Sequence, residues 1–181
     1  MQSLCVFCGS ASGVAPSFVT ATQAFARACV QRGIRVVYGG ASVGLMGTLA
    51  DTVIQAGGEV VGVIPTALVD REIAHRGLTR LHVVDTMHAR KSKMAALADA
   101  FVALPGGIGT LEEFFEVWTW GQLGIHQKPY GLLNVEDYYT PLIEFLDHAR
   151  RAGFIRAAQR DQVAVASDSN ALLDALSASS G

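Results

Sequence analysis

The chain has 181 residues, of which 50% are hydrophobic and 17% charged, and its formal net charge is −2 at pH 7. This length fits a single domain, residues 1–181, with a short polar tail from about residue 177. The near-neutral charge gives no electrostatic footprint for nucleic acid or for an anionic membrane. No apolar run reaches the ~20 residues that span a bilayer. A mean hydropathy of +0.32 is high for a small monomer, and it favours burial of apolar surface against a second copy of the chain.

The three cysteines, Cys5, Cys8 and Cys29, are too few and odd in number for a disulfide framework. Cys5 and Cys8 form a C-x-x-C spacing, which also occurs in redox and zinc sites. They lie, however, in an apolar run that predicts a strand, where residues three apart point to opposite faces. We therefore expect buried thiols that act as small hydrophobic side chains, and no metal site. The first residues run directly into this strand, so we expect no signal peptide and a cytoplasmic location.

Short apolar runs alternate with longer helical stretches along the whole chain. In chain order, strands are predicted at 4–8, 34–38, 60–64, 81–84, 101–104, 130–134 and 163–166. The predicted helices cover 16–32, 45–56, 87–98, 110–121, 138–152 and 170–176. Short, continuously apolar strands separated by helices predict a parallel sheet that is covered on both faces. The predicted fold class is α/β: a single Rossmann-like domain with a doubly wound parallel sheet of about seven strands flanked by helices.

Three loops at the carboxyl ends of predicted strands are rich in glycine and other small residues. The first glycine loop is 9–13, the second is 39–47 and the third is 105–110. Each precedes or opens a helix, where free backbone N–H groups and the helix dipole favour an anion. Folds of this class bind ligands at this edge of the sheet. Three such loops at one edge predict a phosphate-bearing ligand.

The loops also narrow the class of nucleotide. The first glycine loop is not a G-x-G-x-x-G, and no acidic residue ends the second strand to hold a ribose hydroxyl, which disfavours a dinucleotide. No G-K-[ST] follows any of the glycine turns, so a P-loop for triphosphates is absent from the sequence. A nucleoside monophosphate is the better fit.

The third glycine loop leads into a pair of glutamates. Glu113 follows Thr110 by three residues, and two interpretations stay open. In one, Thr110 caps the helix and Glu113 folds back onto the chain as a capping box. In the other, Glu113 is a carboxylate at the floor of a phosphate-lined cleft. Glu112 and Glu116 are one turn apart and are typical of an ordinary helix face.

An arginine lies within an apolar helical stripe. At helical spacing Met87, Arg90, Met94 and Leu97 share one side of the predicted helix. If the arginine is buried it needs an anion, either a carboxylate such as Glu113 or a phosphate, because an unpaired buried charge is costly. The alternative is that its charged head reaches solvent along its stem.

These two segments resemble the Lonely Guy family. The resemblance is carried by P-G-G-x-G-T-x-x-E at 105–113 and M-H-x-R-K at 87–91, and it extends over 5–10, 44–47 and 131–134. Members of this family are cytokinin riboside 5′-monophosphate phosphoribohydrolases, often mislabelled as lysine decarboxylases. The resemblance implies a homodimeric Rossmann-like hydrolase that acts on AMP or a cytokinin riboside monophosphate. It also implies that no cofactor is needed, pyridoxal phosphate included.

The resemblance further implies roles for individual residues. Glu113 and Arg90 match the family's catalytic pair. The positions that match its substrate-binding residues are Glu72, Lys91, Gly107, Ile108, Gly109, Thr110, Leu111, Glu112 and Thr119. The positions expected near the phosphate are Gly9, Ser10, Gly44, Met46 and Gly47. The chain departs from the family at Ala41, where the family's turn has a third glycine, and we expect at most a slight shift of that loop.

Two questions remain open from the sequence. A non-catalytic nucleotide- or cofactor-binding carrier of the same fold is the alternative function, and the Arg90–Glu113 pair favours the enzyme because a pure binder would not need it. An apolar segment also suggests a dimer interface, with burial in the chain's own core as the alternative. Its residues are Phe114, Phe115, Val117, Trp118, Trp120, Leu123 and Ile125.

Overall fold

The sheet of this protein is formed by seven parallel strands in the order β4-β3-β2-β1-β5-β6-β7. The computed structural model describes residues 1–69 and 74–179. The strands are β1 (Ser3–Phe7), β2 (Arg35–Tyr38), β3 (Val60–Pro65), β4 (Arg80–Val84), β5 (Ala100–Ala103), β6 (Tyr130–Leu133) and β7 (Val163–Ala166). Every predicted strand is confirmed, with its ends within about one residue of the prediction, because each is a short apolar run bounded by loop residues.

Helices connect the strands. They are α1 (Pro16–Gln31), α2 (Gly44–Gln55), α3 (Thr66–Val69), α4 (Met87–Leu97), α5 (Ile108–Gln122), α6 (Thr140–Arg151), α7 (Ala157–Asp161) and α8 (Ser169–Ala178). The predicted helices are confirmed, whereas α3, α7 and a 3₁₀ turn at Val135–Asp137 were not predicted, because one turn is too short to show a period. Within the described ranges, no helix is both long enough and apolar enough to cross a membrane.

The carboxyl-terminal helix extends into the start of the expected polar tail. The polar tail was expected from about residue 177, but α8 continues to Ala178. The hydroxyl of Ser177 donates to the carbonyl of Leu173 one turn earlier, at 2.8 Å. The polar serine is therefore accommodated inside the last turn of the helix rather than ending it.

The hydrophobic core is divided between the two faces of the sheet, as a doubly wound fold requires. Alternate residues of β1 point to opposite faces. Leu4, Val6 and Cys8 pack in one buried cluster with α1, α2 and α8. Cys5 and Phe7 pack in the other with α4, α5 and α6. The prediction that the two cysteines of the C-x-x-C spacing lie on opposite faces and are buried is confirmed.

The order of the strands creates a crevice at one edge of the sheet. From β1 the chain moves outward through β2, β3 and β4, and it then returns to place β5 on the other side of β1. This reversal is the topological switch point at which open α/β sheets bind ligands, outside the carboxyl ends of the strands. Because β2, β1 and β5 are neighbours, the three glycine loops that follow them meet at this point.

Candidate active site

The first glycine loop is in direct contact with the other two. The backbone N–H of Gly9 donates to the carbonyl of Pro105 at 3.1 Å, and the carbonyl of Gly9 accepts from the N–H of Met46 at 3.3 Å. Gly44 has a φ of +57°, and a Cβ built there would lie 2.3 Å from the carbonyl carbon of Ser10. A side chain at Gly44 is therefore excluded both by its left-handed conformation and by the neighbouring loop.

The third glycine loop opens α5 without a side-chain cap. Gly107 is the N-cap residue, and it has no side chain that could bond to the first turn. Thr110 is therefore the third residue of the helix, so the capping-box interpretation is wrong, since that motif needs Thr110 at the cap. Thr110 is buried against Gly106, where a Cβ would lie 2.1 Å from its hydroxyl oxygen. Backbone N–H groups at this end of the helix are available to an anion.

Arg90 is buried on the α4 side of the crevice. Only 5% of its surface is exposed, so the alternative in which its head reaches solvent is wrong. Its Nη2 donates to the carbonyl of Gly39 at 2.9 Å, and its Nη1 approaches the sulfur of Met87 at 3.6 Å. A Cβ on Gly39 would lie 1.9 Å from Nη2. The absence of a side chain at Gly39 is thus what allows the guanidinium to reach this carbonyl.

Glu113 and Arg90 act on the same buried sulfur atom. Burial raises the pKa of the Cys5 thiol well above its ordinary value, the negative charge of Glu113 raises it further, and the positive charge of Arg90 lowers it. Burial and Glu113 likewise raise the pKa of Cys8. Cys5 lies in the middle of β1 and Cys8 directly follows the strand, so Arg90 on α4 and Glu113 on α5 bring opposite charges close to this central strand. Glu113 is half-buried, in contrast to its exposed neighbour Glu112.

Lys91 joins α4 to α5 beside this pair. Its Nζ donates to Oε1 of Glu112 at 2.6 Å and lies 3.0 Å from Oε2 of Glu116. Burial lowers the pKa of Lys91, but the hydrogen bonds to the two carboxylates outweigh it, and the pKa is raised above its ordinary value. The glutamates that were predicted to form an ordinary helix face therefore bind a lysine of the neighbouring helix. The substrate-binding role of Lys91 and Glu112 stays a prediction.

The other predicted site residues fall into two groups. Around the glycine loops, Ser10 is exposed, whereas Met46 and Gly47 are buried in the first turn of α2. On α5, Ile108 is exposed at the start of the helix and Leu111 is half-buried against the core. Gly109 is exposed in the first turn of α5. Thr119 is exposed on the same side of α5 as Glu112. Glu72 lies outside the described residues.

Two contacts in the crevice were not predicted from the sequence. Gly39 contacts the Arg90 guanidinium. The one sequence feature that could have indicated this contact is a glycine directly after a predicted strand. Tyr138 donates its hydroxyl to the carbonyl of Gly106 at 2.6 Å, and no motif indicates this contact. Tyr138 and Phe18 also line a cavity of about 270 Å³ between the first and third glycine loops.

The buried cysteines lead to a direct chemical prediction. Burial raises the pKa of all three thiols, that of Cys29 to about 12. Since the thiolate is the reactive form, we expect the native protein to react negligibly with a disulfide reagent at about pH 8 and to expose three reactive thiols after unfolding in guanidinium. Rapid labelling of Cys5 or Cys8 in the native protein would contradict a purely structural role. Among residues 1–69 and 74–179, no group of three potential metal ligands comes together.

Comparison with known proteins identifies the family. A family model described as "Possible lysine decarboxylase" matches residues 46–176. The cytokinin riboside 5'-monophosphate phosphoribohydrolase of Rhodococcoides fascians is 52% identical over 168 residues, which cover 92% of this chain and 85% of that protein. This chain belongs to the Lonely Guy family. Another Lonely Guy protein, a cytokinin riboside 5'-monophosphate phosphoribohydrolase from Arabidopsis thaliana, is 53% identical over 85% of this chain and 71% of its own length.

Solved structures confirm the fold predicted for this Lonely Guy protein. A molybdenum cofactor binding protein from Rippkaea orientalis superposes with a TM-score of 0.72 over 98% of this chain and 97% of its own, at 19% identity. A molybdenum cofactor carrier protein from Chlamydomonas reinhardtii gives a TM-score of 0.71 at 21% identity, with 98% and 97% of the two chains covered. At this level of identity the likeness concerns the fold alone.

Proposed function

We propose that this protein hydrolyses the N-glycosidic bond of purine nucleoside 5′-monophosphates. The products are a free base, adenine or an N6-prenylated adenine, and ribose 5-phosphate, so that a cytokinin nucleotide is converted to the active base. The observation that carries the proposal is the 52% identity to the Rhodococcoides fascians phosphoribohydrolase over 92% of this chain. The geometry of the crevice agrees with this chemistry.

The glycine loops are suited to the phosphate. The helices α2 and α5 both begin at the crevice, and neither has an acidic residue in its first turn that would compete with an anion. The contact of Gly44 with Ser10, and of Gly106 with Gly9, brings the backbones of the three loops together without side chains between them. Such a cradle would supply remote binding energy that positions the reacting bond.

The bond cleavage requires charge of both signs near the sugar. In the reaction, water adds to C1′ while the C1′–N9 bond breaks, its electron pair goes to the base, and a proton from water ends on the leaving base. The ribosyl group is cation-like in the transition state, as in other glycoside hydrolyses. The carboxylate of Glu113 would stabilise that charge and accept the water proton. Arg90, held by Gly39, would keep the carboxylate and the substrate in register.

The alternative of a non-catalytic carrier has less support. The molybdenum cofactor binding protein and the carrier protein of this fold are 19% and 21% identical to this chain, whereas the two phosphoribohydrolases are 52% and 53% identical. The decarboxylase description of the family model is also a poor fit to the crevice. A pyridoxal phosphate enzyme needs a lysine that readily loses its proton, but the pKa of Lys91 is raised by its two carboxylate partners.

Incubation of the purified protein with AMP tests the proposal. We expect adenine and ribose 5-phosphate to be released in equal amounts, as measured by chromatography. Adenosine at the same concentration should not react, because the phosphate supplies the binding energy that positions the reacting bond. The same assay with isopentenyladenosine monophosphate compares the two classes of base. Binding of AMP without release of adenine would favour the carrier instead.

We also infer that the protein is a homodimer. Phe114, Val117 and Trp118 are buried in the chain's own core, so only part of the apolar segment is left for a partner. Leu123 and Ile125, at the exit of α5, are 70% and 65% exposed. Ile125 lines a groove of about 480 Å³ between the exit of α5 and α4, together with mainly apolar and aromatic side chains.

A charge at this exit tests the dimer. We expect Ile125→Glu to elute at the mass of one chain in light-scattering chromatography at micromolar concentration, because a buried, unpaired carboxylate is costly in an apolar interface. Phe154→Glu is the matched control, because Phe154 is 88% exposed and lies outside this apolar segment. This variant should keep the mass of two chains. A wild-type protein with the mass of one chain would refute the dimer.

Two further proposals concern organisation and location. A single sheet with core clusters on both faces supports the proposal that residues 1–181 form one domain. Free, buried cysteines are typical of proteins in a reducing compartment, which supports a cytoplasmic location.

A further inference from the structure

Two adjacent tyrosines hold the chain as it enters the third glycine loop. The hydroxyl of Tyr138 donates to the carbonyl of Gly106 at 2.6 Å. The hydroxyl of Tyr139 donates to the carbonyl of Leu104, also at 2.6 Å. Tyr139 is buried in the core, whereas Tyr138 is 42% exposed at the rim of the crevice. The two bonds are alike in chemistry, but they act on different peptides.

The turn before these tyrosines is built in an unusual conformation. Glu136 and Asp137 have φ values of +47° and +59°, which residues other than glycine rarely adopt. Asn134 accepts the N–H of Tyr139 at 2.7 Å and donates to the hydroxyl of Thr140 at 3.1 Å. A left-handed conformation of this kind persists only where the surroundings impose it, and it clusters at functional sites. The consequence here is that Tyr138 is directed toward the glycine loop.

The acceptor of Tyr138 belongs to a peptide between two glycines. The Gly106–Gly107 peptide has no Cβ on either side, so little in the chain itself opposes its rotation. A peptide group is planar, and in its trans form the carbonyl of one residue and the N–H of the next point in opposite directions. The hydrogen bond from Tyr138 to the Gly106 carbonyl therefore also sets the direction of the Gly107 N–H.

The N–H of Gly107 lies at the amino-terminal end of α5. Gly107 is the N-cap residue of the helix, and it is exposed in the crevice between the glycine loops. If the peptide rotated, a carbonyl oxygen would take the place of a donor next to the phosphate cradle, and it would repel an anion. The edge-to-face contact of Tyr138 with Phe18, at 5.6 Å between ring centroids, keeps the ring in position on the side of the cavity.

We propose that Tyr138 is a positioning residue for phosphate recognition: its hydroxyl bond to Gly106 holds the Gly106–Gly107 peptide with its N–H directed to the phosphate of the substrate. The inference rests on the proposed function only in that the ligand carries a 5′-phosphate. Tyr138 itself acts through the backbone of the third glycine loop and does not take part in the bond cleavage.

The test uses two ligands that the protein does not turn over. The affinities of ribose 5-phosphate and of adenine are measured by calorimetry for the wild type, Tyr138→Phe and Tyr139→Phe. We expect Tyr138→Phe to bind ribose 5-phosphate about three- to tenfold more weakly, the usual effect of one hydrogen bond, and to bind adenine as the wild type does. In AMP hydrolysis its KM should rise more than its kcat falls.

Tyr139→Phe is the matched control, because it loses the same kind of bond one residue away. We expect a lower midpoint of thermal unfolding for this variant, since its hydroxyl is buried, and no selective loss of ribose 5-phosphate binding. The inference is overturned if Tyr138→Phe binds ribose 5-phosphate as the wild type does, or if both ligands are weakened equally. It is also overturned if the wild type binds no ribose 5-phosphate.

The outcomes separate this inference from the proposed function. A wild type that binds ribose 5-phosphate in a Tyr138-dependent way but releases no adenine from AMP would refute the hydrolase and support the positioning role. A wild type that hydrolyses AMP with phosphate binding independent of Tyr138 would support the hydrolase and refute the positioning role.

Discussion

Glu113→Gln is expected to lower kcat for AMP hydrolysis by about 10²- to 10⁴-fold, the range of a general acid or base. The amide keeps the size and shape of the side chain but can neither accept the proton of water nor stabilise a cation-like sugar by charge. Because the phosphate is bound by the glycine loops, AMP should still bind with an affinity close to that of the wild type. Initial rates of adenine release and equilibrium binding of AMP measure the two effects separately.

The control for this variant is Glu144→Gln. Glu144 is exposed on α6 and does not line the cavity between the glycine loops, so the same change there should leave kcat and KM as in the wild type. If Glu113→Gln retained more than about a tenth of the wild-type kcat, Glu113 would not be the general base. If that variant lost AMP binding altogether, the residue would serve the binding of substrate instead.

Gly39→Ala is the second change for which we expect a large effect. A Cβ at this position would lie 1.9 Å from Nη2 of Arg90 and 2.5 Å from the terminal carbon of Met46. Alanine itself meets no backbone penalty, since Gly39 is not among the residues with positive φ. The collision must therefore be relieved by moving a buried guanidinium away from the Gly39 carbonyl. Moving such a group weakens its bond to that carbonyl and disturbs the packing around it.

The expected result is a fall in kcat/KM for AMP of at least about 10²-fold, since small misplacement of catalytic groups has effects of this size. Thermal unfolding should show a loss of stability of about 1–3 kcal/mol, as is usual for overpacking. Ala41→Gly in the same loop is the matched control, because it adds no atoms that could displace Arg90; its kcat/KM should change little. Wild-type kinetics for Gly39→Ala would show that the position of Arg90 is not critical.

The architecture could be predicted because it depends on local patterns. Each strand is a short apolar run, and each long helix repeats its apolar residues over several turns, so their types and order are recorded in the chain itself. The parallel arrangement follows from the alternation of the two, and with it the edge at which the loops meet. The opposite faces of Cys5 and Cys8 were predicted for the same reason, since a strand has a period of two residues.

Single-turn elements and the exact start of α5 were not predictable in this way. The helix begins two residues earlier than expected, at Ile108, with the glycine of position 107 as its cap. Glycine has no side chain that could signal a cap, whereas Thr110 is a common cap residue and suggested the later start. This small difference excludes the capping-box interpretation of Thr110 and Glu113, whereas the role of Glu113 in the crevice stays a prediction.

Contacts between distant residues were the other feature that could not be predicted. Lys91 and Glu116 belong to different helices, and their ion pair requires those helices to pack side by side on one face of the sheet. The burial of Arg90 was a conditional prediction, because an arginine in an apolar stripe can also reach solvent. The packing of α4 against the Gly39 turn removes that option.

The amino-acid sequence by itself determined the class of fold, the sheet edge at which the glycine loops meet and the family, because strand and helix periods and the glycine motifs are properties of short segments. Only the tertiary structure decided that Gly39 holds the Arg90 guanidinium, that Lys91 joins α4 to α5, and that Tyr138 reaches the third glycine loop. Gly39 and Arg90 are 51 positions apart in the sequence, and Lys91 and Glu112 are 21 apart. Tyr138 and Gly106 are 32 positions apart. Their contact arises from the way in which the strands are ordered, and no local pattern records it.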